Sequence, residues 1–526
     1  PIQVIAEFEK GKRDHRSSQF KEPPRHPLHR LQTEHPKSRL CRSEKMMYGP
    51  SPMGHTRRHL LKGSLAGSAA AVLSSISQAS AQSQANPKVS NSPKKPRGII
   101  FMVSDGMSQG VLSMTEAFSQ QTRKQGTAWW ELLSTPGATH GLMDTASSSS
   151  LVTDSAAASS AWSAGKRIPN GQINVDANGK KLESIGETLK KEKDNFRIGL
   201  VSTASITHAT PAGFAATVKN RGREDLIAPQ YLDRVDVILG GGDRFFSGNA
   251  RKDKKDLFGI FEKAGYGISR TRTDLKNNRS EKILGTFQNG YLPYTIDWNE
   301  DKELQKQVPP LAEMTEAALQ RFLTNEDPFL LQVEGARIDH AAHKNDIGAI
   351  LREQMAFDDS IAKVLAMTQN HDDILIVLTS DHGNANPGLN GTGAGYRQTD
   401  EHFQKVAQIS GSAERFLSEW NRKTGKSADM IKKIEDFYGF TPSQKEANVM
   451  LECIAGRQVS EWSNQLSNPV GILGQIVGNI TGVGWTGICH TSDPTQLTAF
   501  GPGSEQFSGL VRNDSVRDRL LGLLAG

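Results

Sequence analysis

Cysteine is scarce: the 526-residue chain has three, Cys41, Cys453 and Cys489. They form no C-x-x-C pair, which excludes a thiolate zinc framework, and only Cys453 and Cys489 could close a disulfide in an exported body. Cys489 directly precedes His490, but thiolate sites draw on several cysteines, so Cys489 is not expected to bind metal. Long apolar runs are missing as well; the best candidate, Gly63 to Ile76, is too short and too weak to span a bilayer. There is no G-x-S-x-G elbow, and the glycines of Gly240-Gly241-Gly242 fit neither a dinucleotide nor a Walker pattern. A strong charge of one sign is absent from the body too. The net +6 arises because residues 1–97 carry 18 Lys and Arg against 6 Asp and Glu, whereas residues 98–526 carry 45 against 51. The body is mildly acidic, and no nucleic-acid partner is expected.

What is present begins with a leader. Residues 1–52 are polar and rich in Pro, His and Arg, without hydrophobic periodicity; they are expected to be disordered or a spurious extension ahead of a true start at Met53. Thr56-Arg57-Arg58-His59-Leu60-Leu61-Lys62, the Ala/Gly/Ser-rich run after it and Ala79-Ser80-Ala81 predict a twin-arginine export signal over residues 53–81, hence a periplasmic or extracellular destination and no transmembrane anchor. Residues 82–97, rich in Ser, Asn, Pro and Lys, read as a linker. The body, 98–526, is expected to be one catalytic domain.

In the body, continuous apolar runs predict strands covered on both faces, and chemistry-bearing residues stand where those runs end. Gly98 to Val103 leads to Asp105; Ile198 to Thr203 leads to His208 and Thr210; Phe329 to Val333 leads to Glu334; Asp373 to Thr379 leads to Asp381 and His382. After Glu334 the pattern turns helical from Ile338, which puts Asp339 and His343 four residues apart on one face, able to share a cation. A helix cap with a satisfied histidine is the other reading of that stretch. Val152-Thr153-Asp154-Ser155-Ala156-Ala157 offers a hydroxyl at a helix start, where exposed N–H groups favour an anion; Ser155 is a candidate nucleophile, and a plain Ala/Ser helix start is the alternative. Arg221 and Arg223 follow within reach of an anion bound near His208. His490 lies in a further turn–strand–turn segment, and residues from about 390 to 482 read as an insertion of loops and charged helices.

In this order, Met102-Val103-Ser104-Asp105-Gly106-Met107, Val152 to Ala157, His208-Ala209-Thr210-Pro211, Asp236 to Gly242, Val333 to His343, Ser380-Asp381-His382 and His490-Thr491 resemble the motifs of alkaline phosphatases. The resemblance implies an α/β fold: a three-layer αβα sandwich with a large, mostly parallel central sheet, carrying a mainly helical insertion. It also implies hydrolysis of small phosphate monoesters through a phosphoserine on Ser155, with Arg221 gripping the phosphoryl oxygens and Arg223 as the alternative. Asp339, His343 and His490 would hold one zinc, Asp105, Asp381 and His382 a second, and Asp105, Thr210 and Glu334 a magnesium. His208 and His340 match positions at which the family varies, near the third metal and the phosphate. A homodimer is possible.

Two alternatives remain at this point. Phosphodiesterases, sulfatases and metal-dependent mutases share related sheets and ligands, although Ser155 together with Glu334 and Arg221 argues against them. A non-catalytic exported protein that binds metal or phosphate would need a missing ligand, and none is missing.

Overall fold

Apolar and β-branched residues in short unbroken runs build a sheet that is buried on both faces, and the computed structural model arranges them so. It describes residues 95–420, 425–459 and 463–524; the predicted export signal and all of the linker before Lys95 lie outside these residues. In chain order the strands are β1 (Gly98–Val103), β2 (Thr139–Asp144), β3 (Arg197–Ser205), β4 (Val237–Gly241), β5 (Tyr266–Ser269), β6 (Lys282–Thr286), β7 (Phe329–Glu334), β8 (Ile374–Thr379), β9 (Gly383–Asn384), β10 (Gly388–Leu389), β11 (Val483–Gly484), β12 (His490–Thr491), β13 (Thr495–Phe500) and β14 (Gly509–Arg512). Ten of them make one sheet in the order β14-β2-β13-β8-β1-β7-β3-β4-β6-β5. Only β13 runs against the others, pairing antiparallel with both β8 and β2.

Every residue of β1, β3, β7 and β8 is buried. Alternate side chains enter two cores, as the two-residue period of a strand requires. Ile100, Met102, Leu331, Val333, Ile376 and Leu378 face one helical layer, while Ile99, Phe101, Val103, Leu330, Leu375 and Val377 face the other. The three-layer α/β sandwich with a mostly parallel sheet is therefore borne out. Helix Ser155–Ala164 is held to its side of the sheet by Trp162, fully buried with its ring 5.1 Å from that of Phe101. Burying an aromatic of that size contributes roughly 1.5–3 kcal/mol, so this helix end is fixed by packing and not by a loop.

The segment read as an insertion is helical, with helices Thr399–Gln404, Ala413–Ser418, Ser427–Tyr438, Gln444–Ile454 and Pro469–Thr481. Its Phe403, Val406, Phe416, Met430 and Ile434 join the same hydrophobic core as the sheet. Cys453 is buried at the end of one of these helices and Cys489 is exposed; both are free, so the disulfide that the sequence allows does not form. Among the described residues, no helix is long and apolar enough to cross a membrane.

The register sets the level of the strand ends. Val103 of β1 stands beside Glu334 of β7 on one side and Thr379 of β8 on the other, and Glu334 pairs with Ser202 of β3. Three adjacent strands, β8, β1 and β7, thus end at one height in the middle of the sheet, and β3 runs three residues further beside them; the ends of parallel strands are where α/β folds bind their ligands.

Candidate metal centre and nucleophile

Asp105, Asp381 and His382 follow the ends of β1 and β8, and one ligand atom from each lies within 4.8 Å of the others. The approach is close because Gly106 turns with φ +69°, a conformation that suits glycine; a Cβ there would come within 2.7 Å of Asp339 Oδ1. Neither carboxylate oxygen of Asp105 has a hydrogen-bond partner, nor do Asp381 Oδ2 and Glu334 Oε1, although all are buried. Burial first, and then the charges of Asp381, Asp339 and Glu334, hold the Asp105 carboxyl well above the usual carboxylate range. Burial likewise pushes Glu334 up to about 7 against the opposing hydrogen bond from Ser202, 2.5 Å away. Unpaired buried carboxylates gathered like this call for cations.

A second group combines Asp339, His343 and His490. Helix Arg337–Ala342 supplies Asp339 and ends at His343, and β12 brings His490 across by pairing with β9, His490 opposite Asn384. His343 Nδ1 lies 2.6 Å from the Ile488 carbonyl oxygen and His490 Nδ1 lies 2.9 Å from that of Thr153. Each Nδ1–H therefore donates to a carbonyl, which leaves both Nε2 lone pairs free; these face each other at 3.1 Å and lie 3.4 and 3.6 Å from the two oxygens of Asp339. Burial, followed by the charge of His382, lowers His490 to about 4, so its ring stays neutral. Two lone pairs aimed at one point beside a carboxylate fit a zinc-like cation. Asn384 Nδ2 donates to Asp339 Oδ1 at 2.6 Å and fixes that carboxylate.

A third group holds Asp105, His208 and Glu334. Thr210, in helix Ala209–Ala215, has a buried hydroxyl without a hydrogen-bond partner. Arg221 donates to His208 Nε2 at 3.2 Å, and the half-buried imidazole, lowered to about 3 by desolvation and then the charge of Arg221, is neutral and must carry its proton on Nδ1. That leaves an oxygen set, Asp105, Thr210 and Glu334, of the kind magnesium prefers, with His208 as a donor beside it.

Ser155 opens helix Ser155–Ala164 with its Oγ 3.1 Å from His382 Nε2. Asp154 caps the helix, accepting from Ala157 N at 2.9 Å through one oxygen, and holds Arg221 Nη1 at 3.0 Å through the other. The residue before the hydroxyl thus fixes both the helix and the arginine. Ser159 ties the helix to its neighbour by donating to the Thr210 carbonyl at 2.6 Å.

The structure brings Asp105, Thr210, Glu334, Asp339, His343, Asp381, His382, His490, Ser155 and Arg221 to one place, with His208 and His340 at its side. Arg223 does not join them; its Nε and Nη2 donate to the two oxygens of Asp225. Beyond the residues singled out in the sequence, Asp154, Ser202 and Asn384 anchor the ligands, and Tyr291 and Arg337 line the flank. The Tyr291 ring lies tilted against His340, 4.5 Å between centroids, and meets His208 edge-on at 5.8 Å; Arg337 donates to His340 Nδ1 at 3.0 Å. Asp154 could have been noticed as an acid preceding a small-residue helix; Tyr291 gives no such sign.

Residues 96–524 match the family model described as alkaline phosphatase. Alkaline phosphatase 3 of Bacillus subtilis is 30% identical over 464 residues, covering 85% of this chain and 94% of the relative, and the repressible alkaline phosphatase of Saccharomyces cerevisiae is 31% identical over 465 residues, covering 80% and 78%. Among solved structures, the Thermus thermophilus alkaline phosphatase superposes with a TM-score of 0.75 at 31% identity, over 82% of this chain and 92% of the other. A cold-active alkaline phosphatase from a psychrophilic Shewanella gives 0.67 at 27% identity, over 81% and 99%. With its strand-end ligands and its helix-capping Asp-Ser pair in the family's order, the chain belongs to the alkaline phosphatase family of metal-dependent phosphate-monoester hydrolases.

Proposed function

We propose that phosphate monoesters are cleaved by attack of Ser155 Oγ on phosphorus, and that the buried carboxylates and imidazoles around it carry two zinc ions and one magnesium. The observation that carries this reading is the Ser155 hydroxyl at a helix head, 3.1 Å from His382 Nε2 and one residue from the Asp154 that holds Arg221. Asp339, His343 and His490 suit one zinc, Asp105, Asp381 and His382 the second, and Asp105, Thr210 and Glu334 the magnesium. Bound there, such cations would lower the pKa of a hydroxyl or a water and neutralise charge on the leaving oxygen.

The chain's own groups do the rest. The Ser155 oxygen forms a bond to phosphorus as the bond to the ester oxygen breaks; water then cleaves the phosphoserine and returns the hydroxyl. Arg221, prevented from swinging by Asp154 and His208, turns its guanidinium donors toward the non-bridging phosphoryl oxygens. The N–H groups at the head of helix Ser155–Ala164 favour the same negative charge. Asn384 and Ser202 keep Asp339 and Glu334 from rotating away.

Rates on p-nitrophenyl phosphate, its bis-ester and its sulfate analogue test this reading. The monoester should be the preferred substrate, and faster turnover of the diester or the sulfate would contradict it. We also read residues 53–81 as a twin-arginine signal that delivers the protein to the periplasm or beyond. A reporter fused after residue 97 should depend on the twin-arginine pair, and export surviving Arg57→Lys with Arg58→Lys would refute that assignment.

A further inference from the structure

Next to Arg221 the surface opens into a cavity of about 560 Å³ with Gly222, Arg223, Arg244, Phe245, Arg251 and Lys252 on its walls. Four of these are cationic, but they are not alike. Arg223 is neutralised by Asp225, the acid that also borders the cavity, through a two-point pair from Nε and Nη2. The Arg251 side chain is buried, with its donors used by Asp253 and by the carbonyls of Asp225 and Phe245, so it builds the wall. Arg244 is different. Its guanidinium lies 4.7 Å over the Phe245 ring, the side chain is half-buried, and it makes no hydrogen bond or ion pair to any described residue. The neighbouring acids are engaged elsewhere: Asp243 pairs with Arg270, and Glu224 accepts from the hydroxyls of Ser205 and Thr207. A lone exposed lysine such as Lys252 is ordinary; a half-buried guanidinium braced on an aromatic with all its donors unspent is not.

The position of Arg244 connects the cavity to the reaction site. Gly242, two residues before Arg244, packs against Ser205 at the end of β3, where Ser205 and Thr207 donate to Glu224, and the Tyr291 ring lies 4.5 Å from that of His340 beside the ligands. Gly222, on the cavity wall, directly follows Arg221 in the chain. Positive charge therefore continues outward from the arginine that faces the reacting phosphoryl group.

We propose that Arg244, with Lys252 at the rim, is the subsite for a second phosphate group on the substrate, so that compact bisphosphates are favoured over plain monoesters. Arg244 offers the planar donor fork that suits a phosphate, Phe245 holds that fork in place, and Lys252 adds a point charge. The assignment rests on the monoesterase reading, with Ser155 and Arg221 taking the phosphoryl group that is cleaved.

The test uses a matched pair, propane-1,3-diol bisphosphate and the corresponding monophosphate, with the metal-loaded enzyme. The wild type should show kcat/KM for the bisphosphate about three- to tenfold above that for the monophosphate, carried by KM, and the ratio should shrink as salt is raised. Arg244→Ala should bring the ratio down to about two, the statistical value for two equivalent phosphates against one, Arg244→Lys should restore part of it, and Lys252→Ala should lower it less. A wild-type ratio no higher than the statistical value of about two, or a ratio that Arg244→Ala leaves unchanged because both substrates weaken together, would overturn the subsite. Failure of the wild type to hydrolyse either compound would instead overturn the monoesterase reading itself.

Discussion

Two sets of buried acids in this molecule look alike by burial and differ in what their oxygens touch. Asp358 accepts from the backbone N–H groups of Ala128 and Trp129 at 2.7 and 2.9 Å, and Asp346 accepts from those of Ala349 and Ala413 at 2.9 and 2.6 Å. Every oxygen is used, and each acid joins two helices. Asp105 has no partner for either oxygen, and Asp381 and Glu334 each leave one unmet. The first set stabilises the fold as it stands. The second destabilises it until cations arrive, which is how a site built for function differs from a cap.

That contrast breaks first at Asp105. Asp105→Asn should cut activity by about 10³-fold or more, because Asp105 serves two of the three ligand groups. The same change should stabilise the metal-free protein by roughly 1–3 kcal/mol, since it removes one of several buried like charges. Thermal melts with and without chelator, alongside rates, measure both; a metal-free variant less stable than wild type would contradict the distinction. Chelation of the wild type should lower its apparent stability by about 4 kcal/mol if metal had been present at roughly 1,000 times its dissociation constant, and Asp105→Asn should show a smaller loss.

The distinction was only partly legible in the chain. Asp105, Glu334, Asp381 and His382 could be placed because each ends an unbroken apolar run, and Asp339 and His343 because four residues on a helix share a face. Nothing in the run Thr139 to Asp144 marks a strand, since β2 is only partly buried and its place is set by pairing with β13 and β14. β12 has two residues, too few to show a period, so the route by which His490 reaches His343 is visible only through its pairing with β9. Asn384, Asp154 and Ser202 act through partners 45, 67 and 132 positions away. Such contacts belong to the fold and leave no local pattern. Tyr291 and Arg244 were illegible for the same reason: an aromatic in a loop and an arginine after a glycine turn are commonplace until their neighbours are known.

Smaller effects sharpen the comparison from the structural side. Asn384→Ala should weaken cation binding by Asp339, His343 and His490 about 10- to 100-fold while leaving the Asp105, Asp381 and His382 group less affected, which metal titration would resolve. Asp358→Ala should cost about 1–3 kcal/mol through the two lost backbone hydrogen bonds and change activity per folded molecule by less than about twofold. Equal losses of activity in Asp358→Ala and Asp105→Asn would erase the difference between the two sets.

The smallest effect is in pH dependence. Burial raises Asp358 to about 6 in the folded protein, against the opposing pull of the Trp129 and Ala128 N–H groups, from an ordinary value of 3.8. The folded state therefore binds this proton more tightly than the unfolded chain does. The corresponding stability is fully present below pH 3.8 and is lost as pH rises through about 6. Asp358→Asn should flatten the decline in that window by about 1–3 kcal/mol, read from denaturant midpoints of the metal-free protein at several pH values. An unaltered pH profile would show that Asp358 does not titrate there.

The most direct test of the account lies at Ser155, where the unmet carboxylates and the capped helix meet. Enzyme mixed with a phosphate monoester, quenched in acid within a turnover and mapped by peptide mass spectrometry should carry one phosphate, on the peptide that contains Ser155, and Ser155→Ala should carry none. Phosphate on another residue, or turnover that persists in Ser155→Ala, would contradict it.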